Sequence, residues 1–141
     1  NYRLLMIGQG ELLEQVKQSI SQKSLGAVVS IREKIENSNI WEAYRIAYVY
    51  VNLNEHEIFG MSILEAMFYE CPVVALKAPG PDYIMEHGKY GFLCKDEMEI
   101  CDRLESVCLN SNIEISRKRV GQKFMWKESA KVFTDIINLL N

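Results

Sequence analysis

Apolar and polar positions alternate along this chain with two different periods. Five short, mostly apolar runs read as strands: Arg3 to Ile7, Ala27 to Ile31, Tyr48 to Leu53, Pro72 to Leu76 and Gly91 to Cys94. Between them lie stretches whose apolar positions recur every three or four residues. The first carries Leu12, Leu13, Val16 and Ile20, and the second, Ile40 to Ile46, sets Trp41 and Tyr44 on one side. Gly60 to Glu70 predicts a third helix, and Pro81 to Glu86 a short fourth that stops near Gly88. Glu97 to Leu109 and Glu128 to Leu140 predict two amphipathic helices, the latter with Phe133, Ile136, Ile137 and Leu140 on one face.

Strands that are continuously apolar, each followed by a helix, predict a parallel sheet covered on both sides. The fold class expected is therefore α/β: one doubly wound, mostly parallel domain over residues 1–141, with no repeat, low-complexity tract or linker. In such sheets ligands bind outside the carboxyl ends of the strands. That directs attention to Gly8–Gly10, Arg32–Glu36, Asn52–Ser62, Lys77–Asp82 and Lys95.

Composition narrows the function classes. Sixteen basic and nineteen acidic side chains give a net charge of -3, which argues against electrostatic capture of nucleic acid or an anionic membrane. No apolar run approaches the roughly 18 residues of a membrane-spanning helix. The first residue is Asn and a strand-like stretch begins at once, so no signal peptide is expected. Cys71, Cys94, Cys101 and Cys108 form no C-x-x-C pair and lie far from His56 and His87, so no zinc site is expected. Cys101 and Cys108, with Met98, Leu104 and Val107, read as small apolar core residues of the Glu97 helix.

One loop carries most of the chemistry. It runs Asn54-Glu55-His56-Glu57-Ile58-Phe59-Gly60-Met61-Ser62 and leads into Ile63-Leu64-Glu65-Ala66-Met67. The amides of Gly60, Met61 and Ser62 are first-turn donors at the positive end of a helix, where an anion can sit without a lysine. Glu65 lies in the second turn of a helix that is apolar nearly all round, so its carboxylate needs donors or a cation. The two hydroxyls of a ribose would satisfy it, and so would a lysine, arginine or backbone amide from a neighbouring loop. A dinucleotide site at Gly8-x-Gly10 is disfavoured, because Leu13 stands where the third glycine belongs.

Two glutamates in the spacing Glu57-x7-Glu65 enclose Phe59-Gly60 and precede Ala66-Met67. Downstream follow Pro72-Val73-Val74-Ala75, Pro79-Gly80-Pro81, Ile84 and Gly88-x-x-Gly91-Phe92-Leu93. From Tyr48 to Cys94 the sequence resembles the nucleotide-binding half of the retaining glycosyltransferases of family 4, which have the GT-B fold. Weaker matches at Leu5–Gly10 and at Trp126-x-x-Ser129-Ala130 extend the resemblance over nearly the whole chain.

The resemblance implies transfer of a sugar from a nucleotide-diphosphate donor, of the UDP or GDP type, to an acceptor with retained anomeric configuration. It implies that Glu57 approaches the donor sugar and that Glu65 holds the ribose hydroxyls. Gly60, Met61 and Ser62 would face the diphosphate or sugar, Lys34 and Ile35 the base, and Phe59, Gly80 and Asp82 would complete the donor contacts. No cofactor and no metal are expected, and no Asp-x-Asp motif is present. The family pattern departs at Glu33, Ile58 and Glu70, where glycine is usual, at Asn54 in place of serine, and at Tyr83 in place of a glutamate.

The resemblance further implies an opening strand and an acceptor-binding domain upstream, which makes this chain the donor-binding part of a two-domain enzyme. If the missing strand is central, Arg3–Ile7 should not pair with Tyr48–Leu53. A glycan or lipid-linked acceptor, a role in bacterial surface polysaccharide or lipopolysaccharide synthesis, and a cytoplasmic location at the inner face of the membrane are expected on the same ground. The alternative is a catalytically inactive nucleotide-binding or interaction module of the same fold.

Overall fold

A computed structural model describes residues 2–36, 39–107 and 113–140, the last with the side chains of 113–115, 133 and 136–140 left aside. Five strands and seven helices are formed in these segments, and every strand pairing is parallel. The strands fall into two sheets, ordered β1-β2 and β3-β4-β5.

The chain divides into two compact units. The first, Asn1–Ile40, is a strand-helix-strand unit. β1 (Leu4–Ile7) lies beside β2 (Val29–Arg32), with Leu4 opposite Val29 and Ile7 opposite Arg32, and α1 (Leu13–Gln22) connects them. The expectation of a buried first strand is corrected here. Leu4, Leu5, Met6 and Ile7 are all exposed, and α1 has no fully buried residue. A single helix cannot cover both faces of a two-stranded ribbon, and among the described residues β1 is paired on one edge only.

The second unit, Trp41–Asn141, holds the core. α2 (Ile40–Ile46) leads to β3 (Tyr50–Asn52), α3 (Met61–Phe68), β4 (Val73–Leu76), α4 (Pro79–Ile84), β5 (Phe92–Cys94) and α5 (Glu97–Ser106). β4 is central, and all four of its residues are buried. Val74, Leu76 and Cys94 pack with Ile100 and Val107 of the α5 segment on one face. Tyr50 is in register with Val73 on the opposite face, and its hydroxyl reaches Ser62 of α3. The sheet of this unit is thus covered on both sides, as the continuous apolar strands predicted.

Two helical assignments change. The core face of α5 is Ile100, Leu104 and Val107, while Met98 and Cys101 point outward. Asp96 caps the helix: its side chain accepts from the Glu99 amide and marks where the helix begins. Cys108 lies outside the described residues, as do the side chains of Phe133, Ile136, Ile137 and Leu140 in α7 (Trp126–Leu140). α6 (Ile113–Lys123) has no counterpart in the hydropathy pattern. Its buried positions include Ser116, Arg119 and Val120, so two polar side chains help seat it. An apolar period cannot report such a helix.

α3 ends on Glu70, whose φ of 62° is left-handed, where glycine carries no penalty. The Cys71 amide bonds back to the Ala66 carbonyl at 2.8 Å, closing the helix end. This is the position at which the family pattern has glycine. Arg117 of α6 offsets part of the cost, with Nη1 2.7 Å from Glu70 Oε1.

Burial pushes the Cys71 thiol up to about 11, whereas Cys101 is exposed. Iodoacetamide at pH 8 should therefore modify Cys101 roughly tenfold or more faster than Cys71, read by peptide mass spectrometry. Equal rates would contradict the burial of Cys71.

Candidate functional site

The loops after β3 and β4 leave the carboxyl ends of neighbouring strands, where an α/β sheet presents its ligand crevice. The first is folded on itself by side chains acting as turn formers. Asn52, buried at the end of β3, accepts from the Asn54 amide at 2.9 Å, and Asn54 accepts from the His56 amide at 3.0 Å. Asn54 does here what a serine oxygen could also do. The turn delivers Glu57, half-buried, with Oε2 3.4 Å from Asn54 Nδ2.

Gly60 ends this loop with φ 99° and ψ 62°, a left-handed conformation that lets α3 start abruptly. Among the described residues no side chain caps α3. Its first-turn amides at Met61 and Ser62 have no side-chain acceptor and lie at the positive helix end. Met61 and Ile58 are strongly exposed beside them, and Phe59 is partly so.

The second loop meets the first through Gly80. Its amide donates to the Glu57 carbonyl at 3.0 Å. A Cβ on Gly80 would stand 2.3 Å from the Phe59 carbonyl oxygen, so no other residue fits without moving the backbone. Gly80, expected among the donor contacts, also joins the start of α4 to the loop after β3. Asp82, in the first turn of α4, has Oδ2 2.7 Å from His87 Nδ1, and its Oδ1 is buried without a hydrogen-bond partner among the described residues.

Glu65 lies one turn into α3, half-buried, on the same face as Ser62. Its Oε2 accepts from the Tyr44 hydroxyl at 2.9 Å. Among the described residues no cation pairs with it. The lysine, arginine or backbone amide that could have served as a structural partner is not what holds it. Tyr50 makes the parallel contact, with its hydroxyl donating to Ser62 Oγ at 2.8 Å. Burial, reinforced by the Glu65 carboxylate, pushes the Tyr44 hydroxyl far above the usual tyrosine range, so it remains a donor.

Arg119 supports the site and carries no signature in the hydropathy pattern. It is 7% exposed, and its Nε and Nη2 donate to the carbonyls of Ile84 and Tyr83 at 2.6 and 2.9 Å. Both carbonyls lie in the last turn of α4, and that of Tyr83 also accepts from the Glu86 amide at 3.3 Å. The guanidinium lies 4.7 Å from the ring centre of Tyr90 and 5.7 Å from that of Phe124. Glu86 Oε2 sits 3.4 Å from Nη1, close enough for charge contact but without hydrogen-bond geometry. Lys89 foremost, with Arg119 adding to it, holds the Glu86 carboxyl below its usual range. Phe124 completes the support by packing edge-on against both Phe59 and Tyr83.

Lys34 and Ile35 belong to the first unit, and the geometry above concerns the second unit alone. Lys34 is exposed, 3.9 Å from Glu36. No group of three or more His, Cys, Asp and Glu side chains among the described residues is placed to hold a metal ion.

Residues 1–124 match the family model described as glycosyl transferases group 1. The chain belongs to that family. It is 30% identical over 133 residues to the alpha-1,3/1,6-mannosyltransferase ALG2 of Homo sapiens, covering 89% of this chain and 30% of that protein. The sucrose-phosphate synthase of Thermosynechococcus elongatus superposes with a TM-score of 0.81 at 19% identity, covering 98% of this chain and 38% of the other. HepE of Anabaena, solved in complex with UDP-glucose, superposes with a TM-score of 0.79 at 22% identity, covering 98% and 40%. These likenesses establish the fold as that of a GT-B glycosyltransferase part. The chain spans well under half the length of the relatives it matches.

Gly80→Ala should destabilise by about 2–3 kcal/mol, because the methyl meets backbone that cannot step aside. A second substitution tests the other end of α4. Arg119→Ala should cost about 3 kcal/mol by leaving two carbonyls without their charged donor, and Arg119→Lys should recover only part of this. Urea denaturation measures both, and a change under about 0.5 kcal/mol would refute either assignment.

Proposed function

We propose that this chain is the donor-binding part of a hexosyltransferase that uses a nucleotide-diphosphate sugar, of the UDP or GDP type, and retains the anomeric configuration. The observation that carries the reading is Glu65: a half-buried carboxylate on an apolar helix, held by a single phenol and no cation, one turn behind an uncapped helix start. A ribose diol supplies the donors that such a carboxylate lacks. The solved HepE complex with UDP-glucose supports a UDP-sugar as the donor class.

In this reading the amides of Gly60, Met61 and Ser62 receive the diphosphate, whose negative charge grows as the glycosidic bond breaks. Fixed dipoles aimed at that charge favour the transition state over the ground state. Glu57 approaches the sugar from the same loop. Phe59 and Asp82 line the donor side, with Gly80 fixing the loops, and Lys34 and Ile35 contact the base. The reading assigns no metal and no cofactor. Membership of family 4 is part of it, as are a glycan or lipid-linked acceptor held by a second domain and a role in bacterial surface polysaccharide or lipopolysaccharide synthesis. A cytoplasmic location at the inner membrane face belongs to it too. No helix among the described residues is long and apolar enough to cross a membrane.

A second reading, a nucleotide-binding module without catalysis, is favoured by two exposed side chains. Ile58 is 84% exposed where the family has glycine, and Tyr83 is 59% exposed where many members have a carboxylate. The full-length protein assayed with UDP-, GDP- and ADP-sugars separates the two. Transfer that falls roughly a hundredfold or more in Glu57→Gln supports the enzyme. Nucleotide binding with no transfer to any acceptor supports the module.

A further inference from the structure

Glu65 and Ser62 share one face of α3, and each is met from the same side by a tyrosine hydroxyl. The two tyrosines brace one another, with ring centres 5.7 Å apart at 70°. Tyr44 also stacks on Tyr69 at 6.2 Å, with the rings 11° from parallel, and is 8% exposed. A ring held on two sides leaves its hydroxyl little freedom, so its direction is fixed before any ligand arrives. The bonds come from α2 and β3, outside the Glu57-x7-Glu65 segment.

A carboxylate has about four lone-pair positions. Tyr44 takes one of them, on Oε2, and Oε1 has no protein donor among the described residues. Had a lysine or arginine stood at Tyr44, its cation would have neutralised the carboxylate and occupied both oxygens. A phenol leaves the charge intact and selects one rotamer.

We propose that Tyr44 is a positioning residue for Glu65: its hydroxyl holds Oε2 so that the remaining lone pairs face the 2′ and 3′ hydroxyls of a nucleoside diphosphate. Tyr50 plays the matching part for Ser62, accepting none of its proton and leaving the Ser62 hydroxyl to donate toward the diphosphate. The proposal rests on the reading that Glu65 takes the ribose hydroxyls, and the test separates the two.

The full-length protein is titrated calorimetrically with UDP and 2′,3′-dideoxy-UDP, and with the GDP pair, in wild type, Glu65→Ala and Tyr44→Phe. The wild type should prefer the ribose form, and Glu65→Ala should abolish that preference. Tyr44→Phe should reduce the preference about fivefold or more while leaving affinity for the dideoxy form unchanged. A merely structural tyrosine would weaken both ligands alike, and that result overturns the proposal. So does a full preference in Tyr44→Phe when Glu65→Ala has lost it, in which case the ribose reading stands. If Glu65→Ala keeps the preference, the ribose reading fails and the proposal with it. Tyr44→Met also removes the donor and gives the same readout if Tyr44→Phe does not fold.

Discussion

The contact between Gly80 and the backbone of Phe59 sets how the loop after β3 and the start of α4 meet. Glu57, Gly60 and the start of α3 hang from one loop, and Asp82 and Tyr83 from the other. Where the loops touch there is no room for a side chain, and the Gly80 amide finds its acceptor in the Glu57 carbonyl. Two irregular segments thereby behave as one surface. α4 is then gripped at its far end by Arg119, so a helix of six residues, too short to persist alone, is fixed at both ends.

A division of labour runs through the second unit. Apolar side chains of β4, α3 and α5 make the core, and polar side chains drawn from elsewhere set the orientation of the functional groups. Tyr44 and Tyr50 reach α3 from α2 and β3, and Arg119 reaches α4 from α6. Each of these polar groups is satisfied by a partner that it orients. A buried guanidinium is tolerated because two carbonyls and two aromatic faces surround it. The phenol of Tyr44 is tolerated because Glu65 accepts from it.

Much of this was legible in the sequence, and the limits are physical. The five strands and the helices α1 to α5 follow from period and punctuation, and Glu65 stood out because a carboxylate on an apolar helix requires an explanation. Tyr44 was legible only as sharing one side of its helix with Trp41, and the direction of its hydroxyl depends on tertiary packing. α6 escaped because two of its buried residues are a serine and an arginine, which hydropathy scores as surface. Cys101 was assigned inward because a cysteine gives weak phase information, and Ile100 takes the core position instead. The exposure of β1 was illegible for another reason. Composition says that a strand prefers to be covered, and it does not say by what.

The reach of Arg119 bears on the order in which this unit can form. Its hydrogen bonds close over 35 and 36 residues, and Phe124 bridges to Phe59 across a still longer stretch. Contacts of that span are slow to close, because the intervening chain gives up its freedom before the contact rewards it. On a ribosome the loop carrying Glu57 is made well before the helix that supports it. The segment can gather its strands early, yet the crevice takes its final shape only after α6 has emerged. The residues proposed to meet the donor are therefore among the last to become rigid, although they are made before α6.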